Sequence, residues 1–214
     1  MGAKSIGMPT SPRLIAIIGG SGAGKSHLAG MLEQHLGQAV LRLSLDDFYR
    51  DRSKCPAGRR QRINFDHPRA IDWAALERAL TELAKGKSAA IPQYDFATHT
   101  RKPQPRIVQP RPVILVEGLW PLHRARIRSL FDFRIFLACP ASCRFRRRLE
   151  RDIAERGRTA ESVRRQFMET VFPMHRKFVA PQTRWSDLIV TRALAARDIA
   201  PLARRLLQAR KGDL

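Results

Sequence analysis

Acidic side chains are scarce in this chain. Nineteen Asp and Glu stand against forty Lys and Arg, a formal net charge of +21. A surface of that sign draws anions, whether nucleotides, nucleic acid or acidic membrane, and charge alone does not choose among them. Cysteine is scarcer still, with only Cys55, Cys139 and Cys143. An odd, sparse set builds no disulfide framework and fits a reducing compartment. Cys139 and Cys143 are four apart, but no histidine cluster completes a zinc set, so they read as small buried side chains. No apolar run approaches membrane-spanning length. The opening residues, MGAKSIGMPTSPR, lack the apolar centre of a secretory signal. They read as a loose tail over 1–12, and a cytoplasmic location follows by default.

Apolar runs alternate with helical patterns along the chain, which argues for an α/β fold with a parallel sheet covered by helices. LIAII (14–18) is wholly apolar and reads as a central strand. Residues 25–36 read as a helix with Leu28, Met31, Leu32 and Leu36 on one face. AVLRLSL (39–45), VILVEG (113–118), FRIFLA (133–138) and DLIV (187–190) are further strands. Asp72 is placed to cap a helix that runs to about Lys85, with Trp73, Leu76, Leu80 and Leu83 spaced for burial and Gly86 as its stop. Residues 91–110 carry four prolines and read as short extended pieces, arranged as a hairpin. Residues 141–156 form an Arg-rich helix, 160–178 another that is interrupted near Pro173, and 197–210 the last. One domain over 13–214 accommodates all of this. The stretch 46–70 is polar, irregular and too long for a plain connector, which marks it as functional.

GGSGAGKS, Gly19 to Ser26, fits the phosphate-loop pattern G-x-x-x-x-G-K-[ST]. It follows an apolar strand and opens a helix, the context that the pattern requires. The backbone N–H groups of Gly19, Gly20, Ser21, Gly22, Ala23 and Gly24 can turn inward around phosphate oxygens, with Lys25, Ser26 and His27 at the helix start. Lys25 would reach the β and γ phosphates, and the Ser26 hydroxyl can ligate Mg²⁺. Glu117 ends a strand whose C-terminal tip faces the ligand crevice of such a sheet, so it can hold Mg²⁺ directly or through water. Asp46, at the tip of AVLRLSL, has the same claim, and Asp47 beside it is not separable from it by sequence.

A kinase also needs an acceptor pocket, a base, cations on the moving phosphoryl group and a cover that excludes water. Asp46 and Asp66 are acids in or beside the irregular stretch. YDFATHTRK adds Tyr94, Phe96, His99 and Arg101, ring faces and hydrogen-bonding groups suited to a flat polar ligand. RFRRRLERDIAERGRT puts Arg144, Arg148 and Arg151 on one helical face, and Arg156 and Arg158 flank a hinge-like Gly157. Arg146 and Arg147 read as solvated.

GGSGAGKS, LDDFYR, NFDHPRAID, YDFATHTR, VEG, RDIAERGRT and QF…PMH…VAP, in that order, resemble the uridine kinase (uridine-cytidine kinase) family of P-loop kinases related to phosphoribulokinase. The resemblance spans about residues 13 to 190. It implies a P-loop NTPase three-layer α/β/α sandwich, with a parallel central sheet, a small β-hairpin insertion and a helical lid. Residues 46–110 would be the nucleoside-binding insertion and 141–178 the lid helices. The implied reaction is MgATP- or GTP-dependent phosphorylation of the 5′-hydroxyl of uridine or cytidine. By the resemblance Asp46 is the base and a Mg²⁺-associated acid, Lys25 and Arg151 serve the phosphates, and Ser26, Asp46 and Glu117 form the metal side. Asp66 would accept from the ribose hydroxyls with Arg148 as its partner, and Phe65 would line that pocket. Tyr94 and His99 would read the pyrimidine, with Phe96 packing near it and Arg158 and Gln166 as further nucleoside contacts. His67 and Pro68 read as a fixed turn. A homotetramer is implied, and neither a membrane nor a nucleic-acid partner is expected.

The chain departs from that family's pattern at Asp47, where Ser is common, at LWPLH after VEG, and at TRALAARD after the last strand. The last departure leaves ATP-versus-GTP preference open. A related kinase acting on a sugar phosphate or other small anion fits the charge. A basic ATPase that binds nucleic acid is the reading of another class, but no helicase-type motif set or RNA-binding signature supports it.

Overall fold

The computed structural model describes residues 11–60 and 63–208. Most of the predicted tail, and the last two residues of the predicted 197–210 helix, lie outside the described residues. Five parallel strands form the central sheet in the order β2 (Val40–Ser44), β7 (Val113–Gly118), β1 (Arg13–Gly19), β8 (Phe133–Leu137), β9 (Leu188–Val190). Side chains alternate across β1 because strand residues point to opposite faces in turn. Leu14, Ala16 and Ile18 enter one core, and Ile15 and Ile17 the other.

The second core is closed by α1 (Lys25–Leu36) and α8 (Ala196–Gln208), which accommodates Pro201 within its span. The first core is closed by α3 (Trp73–Ala84). Asp72 caps α3 as expected, its carboxylate accepting from the Ala75 amide at 3.1 Å. Gly86 follows with φ +73, a conformation that suits glycine. Trp73, Leu76, Leu80 and Leu83 are all buried. At about 1.5–3 kcal/mol each, their burial contributes on the order of 6–12 kcal/mol before chain entropy is subtracted.

Between β2 and β7 the chain makes a 3-10 turn (Leu45–Phe48), the short α2 (Ala57–Arg60), and two nested antiparallel ladders. β3 (Ala89–Ile91) pairs with β6 (Arg106–Val108), and β4 (Tyr94–Asp95) with β5 (Thr100–Arg101). The proline-rich stretch is therefore the expected hairpin. LWPLH turns inward rather than outward: Trp120 and Leu122 are fully buried, and α4 (Ala125–Arg128) follows.

After β8 come α5 (Ala141–Arg156) and α6 (Ala160–Gln166). Here the structure corrects the predicted break near Pro173. The helical path continues through a π turn (Phe167–Val171), α7 (Phe172–Met174), a second π turn (His175–Val179) and a 3-10 turn (Ala180–Trp185). A proline has no N–H for the α ladder, and the wider π turns on either side absorb that misfit without ending the helix. Buried Gln182 pins the far end: it accepts from the Leu122 amide at 3.0 Å and donates to the Leu119 carbonyl at 2.8 Å.

Candidate functional site

The C-terminal edge of the sheet gathers the predicted side chains. β1 ends at Gly19 and α1 begins at Lys25, with Gly22 at φ +79 and Gly24 at φ +96 between them. Lys25 Nζ curls back to donate to the Gly20 carbonyl at 3.2 Å. Burial lowers the Lys25 pKa, Glu117 and Asp46 oppose that shift, and Arg151 and Arg144 add to it. The first turn of α5 lies directly on this loop. A Cβ at Gly22 would overlap the Arg144 carbonyl oxygen, and the Arg144 guanidinium and His175 crowd against Gly20. Arg144 donates through Nε to the Cys139 carbonyl at 3.1 Å, while its Nη1 and His175 Nδ1 are buried with no partner among the described residues. Burial, then Arg144 and Lys25, push His175 down to about 4, so its imidazole is neutral near pH 7.

The acids stand in line with the loop. Ser44 is in register with Glu117 across β2 and β7, which brings the turn after β2 to the end of β7. Ser26 Oγ donates to Glu117 Oε2 at 2.7 Å. Arg42 donates to the other oxygen, from Nε at 3.0 Å and also from Nη2. Asp46 and Asp47 are now separable. Asp46 is raised chiefly by burial, with Lys25 pulling the other way and Glu117, Asp47 and Asp66 adding to the rise. Asp47 is raised by burial and faces Arg106 instead. Asp66 is also raised by burial, with Arg148 and Lys25 opposing. Ser26, Asp46 and Glu117 offer only hard oxygen donors, and Glu117, Asp47 and Asp66 surround Asp46 with negative charge that a cation would offset. The set suits Mg²⁺, which keeps several waters and needs no cage of protein ligands.

α5 and α6 carry the arginines, and the structure adds an organiser that the sequence reading passed over. Asp152 is 0% exposed and draws four guanidinium groups: Arg151 at 2.7 Å, Arg148 at 3.4 Å, Arg158 at 3.5 Å and Arg156 at 3.6 Å. Its spacing from Arg144 and Arg148, four residues each along one helix face, was the available signal. Arg148 also donates to Ser21 Oγ at 2.8 Å and to Gln166 Oε1 at 2.9 Å, and Arg158 reaches the same Gln166 oxygen. The predicted Arg148, Arg158 and Gln166 thus form one network that touches the phosphate loop. Arg151 is occupied by Asp152, with about a third of its side chain exposed. Arg146 and Arg147 are exposed, as expected.

Tyr49, Phe65, Tyr94, Phe96 and His99 form an aromatic cluster beside Asp66. Phe65 stacks on His99 with centroids 4.6 Å apart, and Tyr49 lies 5.3 Å from Phe65 and 5.2 Å from Tyr94. Tyr49 is the member that the sequence reading did not single out; its hydroxyl donates to the Phe65 carbonyl at 3.0 Å. Tyr94 Oη and His99 Nδ1 are buried without partners among the described residues. Burial pushes the Tyr94 phenol up to about 12, so it stays protonated and able to donate. Phe96 stands 53% exposed at the rim. Arg101 does not face this pocket: it donates to the Tyr49 and Phe48 carbonyls and to Asp72, and so ties the hairpin to the domain. His67 caps the turn before α3 by accepting from the Arg69 amide at 3.0 Å, as a fixed turn requires.

A separate cleft of about 420 Å³ flanks the loop and is lined by Gly24, His27, Arg147 and the Thr191–Leu194 stretch of TRALAARD. Cys139 and Cys143 line it as well, half-exposed rather than buried as predicted, because they sit at the open strand–helix junction.

The phosphoribulokinase from Rhodobacter spheroides superposes with a TM-score of 0.61 at 17% identity, over 87% of this chain and 74% of that one. That likeness concerns the fold. Over 183 residues the chain is 42% identical to a uridine kinase of Chloroflexus aurantiacus, covering 85% of this chain and 88% of the relative. Over 176 residues it is 39% identical to a uridine kinase of Halobacterium salinarum, covering 82% and 78%. The sequence profile of the phosphoribulokinase / uridine kinase family matches residues 14–200, and to that family the chain belongs.

Proposed function

We propose that this chain is a nucleoside kinase that moves the γ-phosphate of ATP or GTP to the 5′-hydroxyl of uridine or cytidine, as a cytoplasmic step of pyrimidine salvage. The observation that carries the reading is the position of Asp46. One partly buried carboxylate interacts with Lys25 of the phosphate loop on one side and with Asp66 of the acceptor pocket on the other. A base between donor phosphate and acceptor sugar must stand there. The relatives named as uridine kinases supply the acceptor class.

In this reading the α5 network and the aromatic cluster hold the nucleoside. Asp66 accepts from the ribose hydroxyls, and Arg148 steadies Asp66. Tyr94 and His99 satisfy their buried polar atoms on the edge of the base, against Phe65 and with Phe96 at the rim. Asp46 takes the proton of the 5′-hydroxyl as its oxygen attacks. Lys25 and the arginine set, Arg151 among them, stabilise charge on the in-line phosphoryl group. Mg²⁺, held on the side of Ser26, Asp46 and Glu117, would neutralise phosphate charge. The cleft beside His27 takes the nucleotide base. A homo-oligomer is part of the same reading.

The test is ADP release from MgATP with purified protein. Release that depends on uridine or cytidine and fails with their 2′-deoxy forms is expected, since a partly buried Asp66 left without its hydroxyl partner disfavours them. Asp46→Asn should abolish transfer while nucleotide binding persists. Release driven only by a sugar phosphate, or full activity of Asp46→Asn, would overturn the reading.

A further inference from the structure

A second cleft, of about 690 Å³, is lined by residues that the donor, base and acceptor roles leave unused. Five cationic side chains converge on it: Arg50, Arg52, Arg69, Arg124 and Lys177. Among the described residues no Asp or Glu lines it, and none of the five makes an ion pair. The nearby acids are committed elsewhere. Asp51 accepts from Ser53 and from the Arg101 amide, and Asp72 is held by Arg101 and the start of α3.

Three of these charges have neighbours that orient them. The Arg124 guanidinium lies 5.9 Å from the Trp73 ring, and Lys177 Nζ lies 5.3 Å from the Phe178 ring. Arg50 donates to the Arg69 carbonyl at 3.2 Å. The rings are anchored in turn: Trp73 donates to the Pro68 carbonyl at 3.0 Å, and Phe178 meets His67 at 4.7 Å. Like charges gathered around a concavity repel one another, and an anion among them relieves that repulsion.

We propose that this cleft binds a small ligand carrying two or more adjacent phosphate groups, at a site distinct from the phosphate loop. Arginine forks match phosphate oxygens bidentately, and four of the five cations are arginines. At about 690 Å³ the cleft has the size of a small-molecule site, which argues for a compact ligand over a nucleic-acid strand. The cleft touches the acceptor side at two points in the chain: His67 follows Asp66, and Arg50 follows Tyr49. Occupancy therefore bears on how the acceptor pocket is held.

Inorganic tripolyphosphate is titrated by calorimetry into the full chain, with the phosphate loop filled by Mg²⁺ and a non-hydrolysable ATP analogue. One saturable site is expected. Its affinity should fall at least tenfold in Arg69→Glu/Lys177→Glu and stay unchanged in Lys87→Glu/Arg204→Glu, which carries the same charge change on exposed positions outside the cleft. If the first double variant does not fold, Arg69→Gln/Lys177→Gln is read the same way, with a loss of threefold or more. Absence of a saturable site, equal loss in the cleft and control variants, or tighter cleft-dependent binding of a short single-stranded RNA would each overturn the proposal.

Discussion

Replacing Asp152 with Asn keeps the shape of the side chain and removes the carboxylate on which four arginines converge. The four pairs are not of equal weight. Arg156 is half-exposed and Arg151 a third exposed, so each of those pairs is worth under about 1 kcal/mol. Arg148 is only 8% exposed, and it would be left a buried cation without a carboxylate partner. Breaking a buried pair from one side costs about 3–5 kcal/mol. Arg148 keeps its bonds to Ser21 and Gln166, which argues for the lower end, about 3 kcal/mol. For a domain of this size that is a drop of roughly 6–12 °C in melting temperature. Because Arg148 and Arg158 both hold Gln166, turnover should fall along with stability. Thermal melting followed by circular dichroism, and ADP release at a temperature where the variant is folded, read the two effects. A variant that melts within about 2 °C of the parent and turns over at its rate would refute the idea that Asp152 organises the arginines.

Gly118→Ala should cost about 1–3 kcal/mol and lower activity, because a Cβ there overlaps Leu45 at the base of the turn that carries Asp46; chemical denaturation measures the loss. Tyr94→Phe should raise the KM for the nucleoside several-fold with little change in kcat or melting, since it deletes a hydroxyl that has no partner without ligand; steady-state kinetics separates the two. The acidic limb of kcat/KM should lie above the ordinary aspartate range. As the proposed base Asp46 must be ionised to take a proton, and its pKa is raised, so activity is expected above that raised pKa and lost as pH falls through it; Asp46→Asn should remove the limb together with the activity.

Much of the framework was legible because its signals are local. Five apolar strands, the α1 and α3 periodicities and the phosphate-loop spacing each announce themselves within a dozen residues. What stayed hidden depends on partners distant in sequence. Nothing local separates Asp46 from Asp47; only the approach of Lys25 to one and Arg106 to the other does so. Arg101 looks like a pocket residue in YDFATHTRK, yet β4–β5 pairing turns it toward Asp72. Pro173 reads as a helix break because propensity carries no knowledge of π turns or of Gln182 anchoring the far end. Asp152 was overlooked among so many arginines, although an acid on the inward face of a basic helix is itself a signal.

The seating of Arg144 against Gly22 has a mechanical consequence. α5 is fixed at its first turn on the loop that would hold the phosphates, and it ends at Gly157, which has φ +59. It is therefore a lever whose fulcrum is the phosphate loop. A helix of 16 residues is about 24 Å long, so a tilt of about 10° at the fulcrum carries its far end about 4 Å. A displacement small at the loop would move Asp152 and the arginines gathered around it by a large part of a bond's reach.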